Sequence, residues 1–147
     1  MATTTLTRES LRILMIEDSA PDVFFYSDLL ITSFGAQVKI DTISRLNAAT
    51  ELLQKNNYSL VIIDLNIVDS NGAETVRAFR KISGKDIPII VLTGANDSEM
   101  RIQALLAGAD DYLVKRRDDK LLCNRVIHHA VERYELIRQG HQDRRFI

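Results

Sequence analysis

The sequence predicts an α/β domain in which a five-stranded, doubly wound parallel sheet carries helices on both faces. Five short apolar runs alternate with five longer segments of helical period, and this order requires crossover helices between parallel strands. Four of the five runs are almost continuously apolar, which is typical of strands buried on both faces. The 147 residues suit one domain.

The strand candidates are short, and each is bounded by polar or turn-forming residues. They are Arg12 to Ile16, Gln37 to Ile43, Leu60 to Ile63, Ile87 to Leu92 and Tyr112 to Val114.

The intervening segments have helical length. They run from Ser19 to about Thr32 with an end near Gly35, from Leu46 to Lys55, Ala73 to Ile82, Ser98 to Ala107, and Asp118 to about Gln139. At the start of the first helix we expect Ser19 to cap, Pro21 to take an early helical position and Asp22 to complete a capping box.

Acids and a lysine follow these strands. In the stretch LVIIDLN, the apolar run of the third strand ends on Asp64. Glu17 and Asp18 follow the first strand, Thr93 follows the fourth, and Lys115 follows the fifth. In an open parallel sheet a ligand binds at the carboxyl ends of the strands. The sequence therefore predicts that these side chains converge at one edge.

Carboxylates held together repel one another unless a cation lies between them. Oxygen ligands with room for water suit Mg²⁺, with Mn²⁺ as an alternative. A hydroxyl and a cation beside the metal suit a phosphoryl group, and an aspartate can accept one as an acyl phosphate.

Four segments carry a family resemblance: ILMIEDSAPD, LVIIDLNIVDSNG, IPIIVLTGA and GADDYLVK. With them, the sequence closely resembles the receiver domain of two-component response regulators over about Leu11 to Arg138. We expect residues 1–10 to be an N-terminal tail, 11–138 the receiver domain and 139–147 a basic C-terminal tail.

The resemblance assigns the site residues. Asp64 matches the phosphoryl acceptor and Asp18 a direct metal ligand. Glu17 acts on the metal mostly through water, and the backbone carbonyl of Asn66 is the third protein ligand.

The resemblance also implies a switch. Thr93 matches the hydroxyl that follows the phosphoryl group, Lys115 the cation that contacts it, and Tyr112 the aromatic that turns inward. Phosphorylation by a histidine kinase or a histidine phosphotransfer protein would change partner binding through the face formed by helix 4, strand 5 and helix 5.

Two positions depart from the family pattern. Arg116 follows Lys115 where a proline with a cis bond is usual, so the Lys115–Arg116 peptide is expected to be trans or strained. Val68 replaces a common proline in the loop after Asp64, which we expect to change loop stiffness rather than chemistry.

The last helix has an apolar stripe that continues past the usual end of a receiver: Leu122, Val126, Ala130, Tyr134 and Ile137, with Ile127 and Val131 beside it. A stripe that no domain covers needs a partner. The alternatives are a homodimer, a client protein, or an effector domain that follows.

Composition limits the other functions. A single cysteine, Cys123, excludes an internal disulfide, and without an apolar membrane span or signal core we expect a cytoplasmic protein with no membrane partner. Residues 115–147 carry nine Lys or Arg against five Asp or Glu, but no reading motif accompanies them, so no nucleic acid is expected. His128 and His129 are adjacent in a helix, so their side chains point apart and cannot bind one metal ion together. We expect them to be ordinary helix residues.

Three alternatives stay beside a stand-alone receiver. One is a receiver fragment of a larger sensor kinase or regulator, and another is an unphosphorylated interaction module. A phosphatase or mutase is disfavoured because Asn66 stands two residues after Asp64, where such enzymes use a second acid. We therefore expect no enzyme that turns over external substrates.

Overall fold

The computed structural model describes residues 11–84, 86–94, 97–115 and 119–143. The expectations for residues 1–10, the Lys115–Arg116 peptide and the end of the chain after residue 143 lie outside the described residues. The strands of the main sheet are β1 (Arg12–Ile16), β2 (Lys39–Ile43), β3 (Leu60–Asp64), β4 (Ile89–Thr93) and β5 (Asp111–Val114). They pair in parallel in the order β2-β1-β3-β4-β5, which confirms the predicted fold class.

The helices follow the predicted order. They are α1 (Ala20–Phe34), α2 (Ala49–Lys55, after a 3-10 turn at Leu46–Ala48), α3 (Ala73–Ser83), α4 (Ser98–Leu106) and α5 (Lys120–Asp143). α5 extends past the predicted end near Gln139. Within the described residues, none of the helices combines the length and the apolar character that crossing a bilayer would require.

Alternating side chains of each central strand fill two cores, one on each face of the sheet. Met15 and Ile62 point into the core beneath α1 and α5. Ile16 and Ile63 point into the core beneath α2, α3 and α4. Both faces are buried, as the continuous apolar runs predict.

Two strands begin later than predicted. β2 starts at Lys39 rather than Gln37, because the chain first turns at Gly35, whose φ of 93° favours glycine. β4 covers Ile89–Thr93 rather than Ile87–Leu92, and Pro88, which has no N–H to donate, precedes it.

The loop after β3 is held by an acid rather than by a proline. Asn66–Ile67 and Ser70–Asn71 form a small antiparallel hairpin, and Asp69 accepts hydrogen bonds from the backbone N–H groups of Leu46 (2.8 Å) and Asn47 (3.0 Å). Burial alone would raise the pKa of Asp69, but these hydrogen bonds lower it. Asp69 therefore ties the loop to the segment that starts α2.

The buried face of α5 lies to one side of the predicted apolar stripe. Cys123, Ile127, Ala130 and Val131 lie in the core, whereas Leu122 is 50% exposed. The predicted uncovered stripe is thus found in part: Leu122 is exposed, whereas Ala130 is buried where the helix packs on β5 and α1.

The end of α5 is not wholly uncovered. Tyr134 and Ile137 line a groove of about 450 Å³ together with Ile82 and Ile87 at the amino end of the sheet. His128 lies against the ring of Phe34, with centroids 4.4 Å apart, as expected for a helix residue that packs.

Candidate functional site

The sheet register brings the predicted residues to one edge. Ile16 pairs with Ile63, so the next residues, Glu17 and Asp64, lie side by side. Thr93 pairs with Val114, and the N–H of Lys115 donates to the Thr93 carbonyl at 2.9 Å. The carboxyl ends of four strands thus place the acids, the hydroxyl and the lysine together.

Three carboxylates form a compact cluster at this edge. One ligand oxygen from each of Glu17, Asp18 and Asp64 lies within 4.8 Å of the others. Glu17 and Asp64 are buried, whereas Asp18 is exposed. Burial and the adjacent Asp64 carboxyl raise the pKa of Glu17 well above the usual range of a glutamate.

Lys115 lies between the acids. Its Nζ donates to Asp64 Oδ2 at 2.8 Å and to Asp22 Oδ2 at 2.9 Å, and it lies 3.2 Å from Glu17 Oε1. Burial alone would lower the pKa of Lys115, but the hydrogen bonds to Asp64 and Asp22 outweigh it and raise the pKa. The lysine stays charged beside Asp64.

The predicted capping box is not formed, and Asp22 belongs to the site instead. The Ser19 side chain makes no capping hydrogen bond at the start of α1, and the Ser19 N–H donates to Glu17 Oε2 at 3.2 Å. Asp22 is only 6% exposed and turns toward Lys115. Sequence reasoning missed it because its partner lies 93 residues away.

Thr93 and Tyr112 occupy the predicted positions in neighbouring strands. Thr93 is buried, and its Oγ1 makes no hydrogen bond among the described residues. The Tyr112 ring is half-buried, with the Arg101 guanidinium 5.3 Å from its centroid. Thr93 and Tyr112 therefore lie two register positions apart on paired strands, and the Thr93 hydroxyl can still donate.

A cleft of about 430 Å³ opens beside Asp64. Asn66 and Thr93 also line it, and the Asn66 N–H donates to Asp64 Oδ1 at 3.1 Å. The Asp64 carboxylate, although mostly buried, therefore borders an open cleft.

The donor set fits a hard divalent cation. Its oxygen atoms come from carboxylates, one of them exposed to water, and Mg²⁺ takes such ligands while keeping several waters. The three carboxyl groups have the Lys115 ammonium beside them, and burial, followed by the adjacent Asp64 carboxyl, raises the pKa of Glu17. Glu17, Asp18 and Asp64 would hold the ion.

Comparison with known families agrees with this geometry. The family described as the response regulator receiver domain matches residues 13–127. Among curated proteins, the regulatory protein VanRB of Enterococcus faecalis is 34% identical over 117 residues, which is 80% of this chain and 51% of that protein. The chain thus spans about half the length of this relative.

Solved structures show the same fold. A response regulator receiver domain protein from Clostridium thermocellum has a TM-score of 0.71 at 25% identity, over 86% of this chain and 98% of that one. The receiver domain of the sensor histidine kinase PA1611 from Pseudomonas aeruginosa PAO1 has a TM-score of 0.67 at 23% identity, over 84% and 98%. That structure is described as having a magnesium ion coordinated in the active site cleft.

Proposed function

The chain belongs to the response regulator receiver domain family, and on this premise we propose that it is a signalling switch in which Asp64 accepts a phosphoryl group. The observation that carries the proposal is the position of Asp64, which faces a cleft, lies in the acidic cluster and accepts a hydrogen bond from Lys115. A carboxylate in such a place can be reached through the cleft and is held in one orientation.

The transfer is a displacement at phosphorus. An Asp64 carboxylate oxygen attacks the phosphorus of a phosphohistidine, the new O–P bond forms, and the N–P bond breaks with its electron pair on the imidazole. That nitrogen then takes a proton from solvent. Lys115 neutralises charge on the transferred oxygens, and the buried Thr93 hydroxyl is free to donate to one of them.

Mg²⁺ is the proposed cofactor, with Mn²⁺ as an alternative. When bound, the ion supplies positive charge next to the phosphoryl oxygens. Asp18 and Asp64 would hold it directly, Glu17 through water, and the Asn66 backbone carbonyl would complete the protein ligands.

The output is a change of surface. With the Thr93 hydroxyl drawn toward the phosphoryl group, the Tyr112 ring turns inward, and the face of α4, β5 and α5 changes. This face already exposes apolar side chains, among them Ile102 (58% exposed) and Leu106 (81%) on α4. Such side chains suit a protein partner.

The phosphoryl donor is proposed to be a histidine kinase or a histidine phosphotransfer protein. A client protein or a second copy would read the α4, β5 and α5 face. We do not propose turnover of external substrates, because the Asn66 amide cannot act as a general acid.

Phosphorylation by acetyl phosphate tests this function. Purified protein is incubated with acetyl phosphate and Mg²⁺, and its intact mass is measured with and without metal, beside Asp64→Asn. The matched control is Asp28→Asn, since Asp28 is an exposed aspartate on α1. The proposal predicts that the wild type and Asp28→Asn each gain one phosphoryl group and that Asp64→Asn gains none. An equal gain by Asp64→Asn would contradict it.

A further inference from the structure

Asp22 is an acid of the site to which neither the capping pattern nor the family resemblance assigns a chemical role. It lies in the first turn of α1 and is almost fully buried. Its Oδ2 accepts a hydrogen bond of 2.9 Å from Lys115 Nζ. Its side chain is therefore placed for contact with the lysine.

Lys115 needs such a contact because its side chain is long. Four rotatable bonds give a lysine about 2 kcal/mol of rotamer entropy, and 26% of the Lys115 side chain is exposed. A displacement of a charged group by about 1 Å can slow a reaction on the order of a hundredfold. The position of Nζ therefore matters for transfer.

The three acids around Nζ have different fates in the proposed reaction. Asp64 becomes the acyl phosphate, so its hydrogen bond with Lys115 must be remade with phosphoryl oxygens. Glu17 belongs to the cluster that would hold the metal. Asp22 lies outside that cluster and is not modified by the transfer, so it can keep its contact with Lys115 throughout.

From this geometry we propose that Asp22 is a positioning residue that holds Lys115 in place before, during and after phosphoryl transfer. The inference rests on the proposed function, because Lys115 acts on the phosphoryl group. Asp22 touches neither that group nor the attacking oxygen, and it works through the Lys115 ammonium.

The first test is kinetic. Phosphorylation by acetyl phosphate with Mg²⁺ is followed by intact mass in wild type, Asp22→Ala, Asp22→Asn and the control Asp28→Ala. We expect Asp22→Ala to be about tenfold slower, Asp22→Asn to be less affected because its amide oxygen still accepts a hydrogen bond, and Asp28→Ala to match the wild type. A rate for Asp22→Ala equal to or above that of the wild type would overturn the proposal.

A double-mutant cycle separates positioning from general damage to the fold. In a Lys115→Ala background, Asp22→Ala is expected to slow phosphorylation no further. The same slowing in both backgrounds would show that Asp22 acts on the fold and not through Lys115.

A measurement without phosphorylation keeps this inference separate from the proposed function. Nitrogen-detected NMR of side-chain ammonium groups is expected to show a protected Lys115 signal in the wild type and in Asp22→Asn, which Asp22→Ala loses. An unchanged Lys115 signal in Asp22→Ala would overturn the positioning role, whereas failure of the wild type to take up a phosphoryl group would instead refute the proposed function.

Discussion

At the residue scale, the buried hydroxyl of Thr93 is the proposed link between phosphorylation and the shape of the domain. Its Oγ1 makes no hydrogen bond in the described part of the chain, and a buried polar atom of this kind is costly unless another state satisfies it. Thr93 pairs with Val114, and Tyr112 lies two residues before Val114 on β5. In the proposed switch, movement of the Thr93 hydroxyl would change the packing around the Tyr112 ring.

Replacing Thr93 with alanine should uncouple phosphorylation from the movement of the Tyr112 ring. A hydrogen bond to a charged group is worth about 1.5 to 3 kcal/mol, so Thr93→Ala should lower the ratio of the phosphorylated conformer to the resting one by roughly 10- to 100-fold. The measurement is the NMR shift of the Tyr112 ring on phosphorylation, with Tyr112→Phe for assignment. Thr93→Ser should keep the shift, and a full shift in Thr93→Ala would refute the coupling.

Tyr58 makes a pH-dependent contribution to stability far from the site. Burial and the hydrogen bond from its hydroxyl to Asp41 Oδ2 (2.6 Å) raise its pKa to about 12. Between the unfolded value near 10 and this value the folded state binds more protons than the unfolded state, so stability falls as pH rises. In urea unfolding from pH 9 to 12, the free energy of unfolding should fall less steeply with pH in Tyr58→Phe than in the wild type. An identical slope in both proteins would contradict this role of Tyr58.

At the scale of elements, Asp110 connects α3, β4 and α5 at the amino end of the sheet. Its Oδ2 accepts hydrogen bonds from Arg80 (2.9 Å) and from the Ile89 N–H (2.8 Å), and Arg133 lies 3.3 Å from its Oδ1. Arg80 also donates to the Gly108 and Ile87 carbonyls. The acid thus anchors the connection into β5.

Removing this acid should weaken the fold without touching the acidic cluster. Asp110→Ala leaves Arg80 without its carboxylate partner in a mostly buried place, so we expect a loss of about 2 to 3 kcal/mol in the free energy of unfolding. Urea denaturation measures it, and Asp86→Ala, an exposed acid in the loop before β4, is the control. Equal midpoints for the two variants would contradict the role of Asp110.

At the scale of the whole molecule, the sequence predicts the sheet and most of the site because both follow from local patterns. Continuous apolar runs indicate buried parallel strands, and the residue that follows each run must lie at the ligand edge. Glu17, Asp64, Thr93 and Lys115 are found there for that reason.

The residues that were missed depend on long-range contacts. Asp22 fits a helix-start pattern, but its carboxylate contacts Lys115 across 93 residues. The contact between Asp110 and Arg80, which are 30 residues apart, was likewise not predicted from the sequence. The buried face of α5 also could not be read from the sequence, because several apolar rows compete and the packing on β5 and α1 selects among them.

The central claim is that Asp64 itself carries the phosphoryl group. Borohydride reduces an acyl phosphate to an alcohol and converts the phosphorylated aspartate to homoserine, which peptide mass mapping can locate. After incubation with acetyl phosphate and Mg²⁺, the account predicts homoserine at residue 64 and none at Asp18 or Asp22. Homoserine at another aspartate, with Asp64 unmodified, would contradict it.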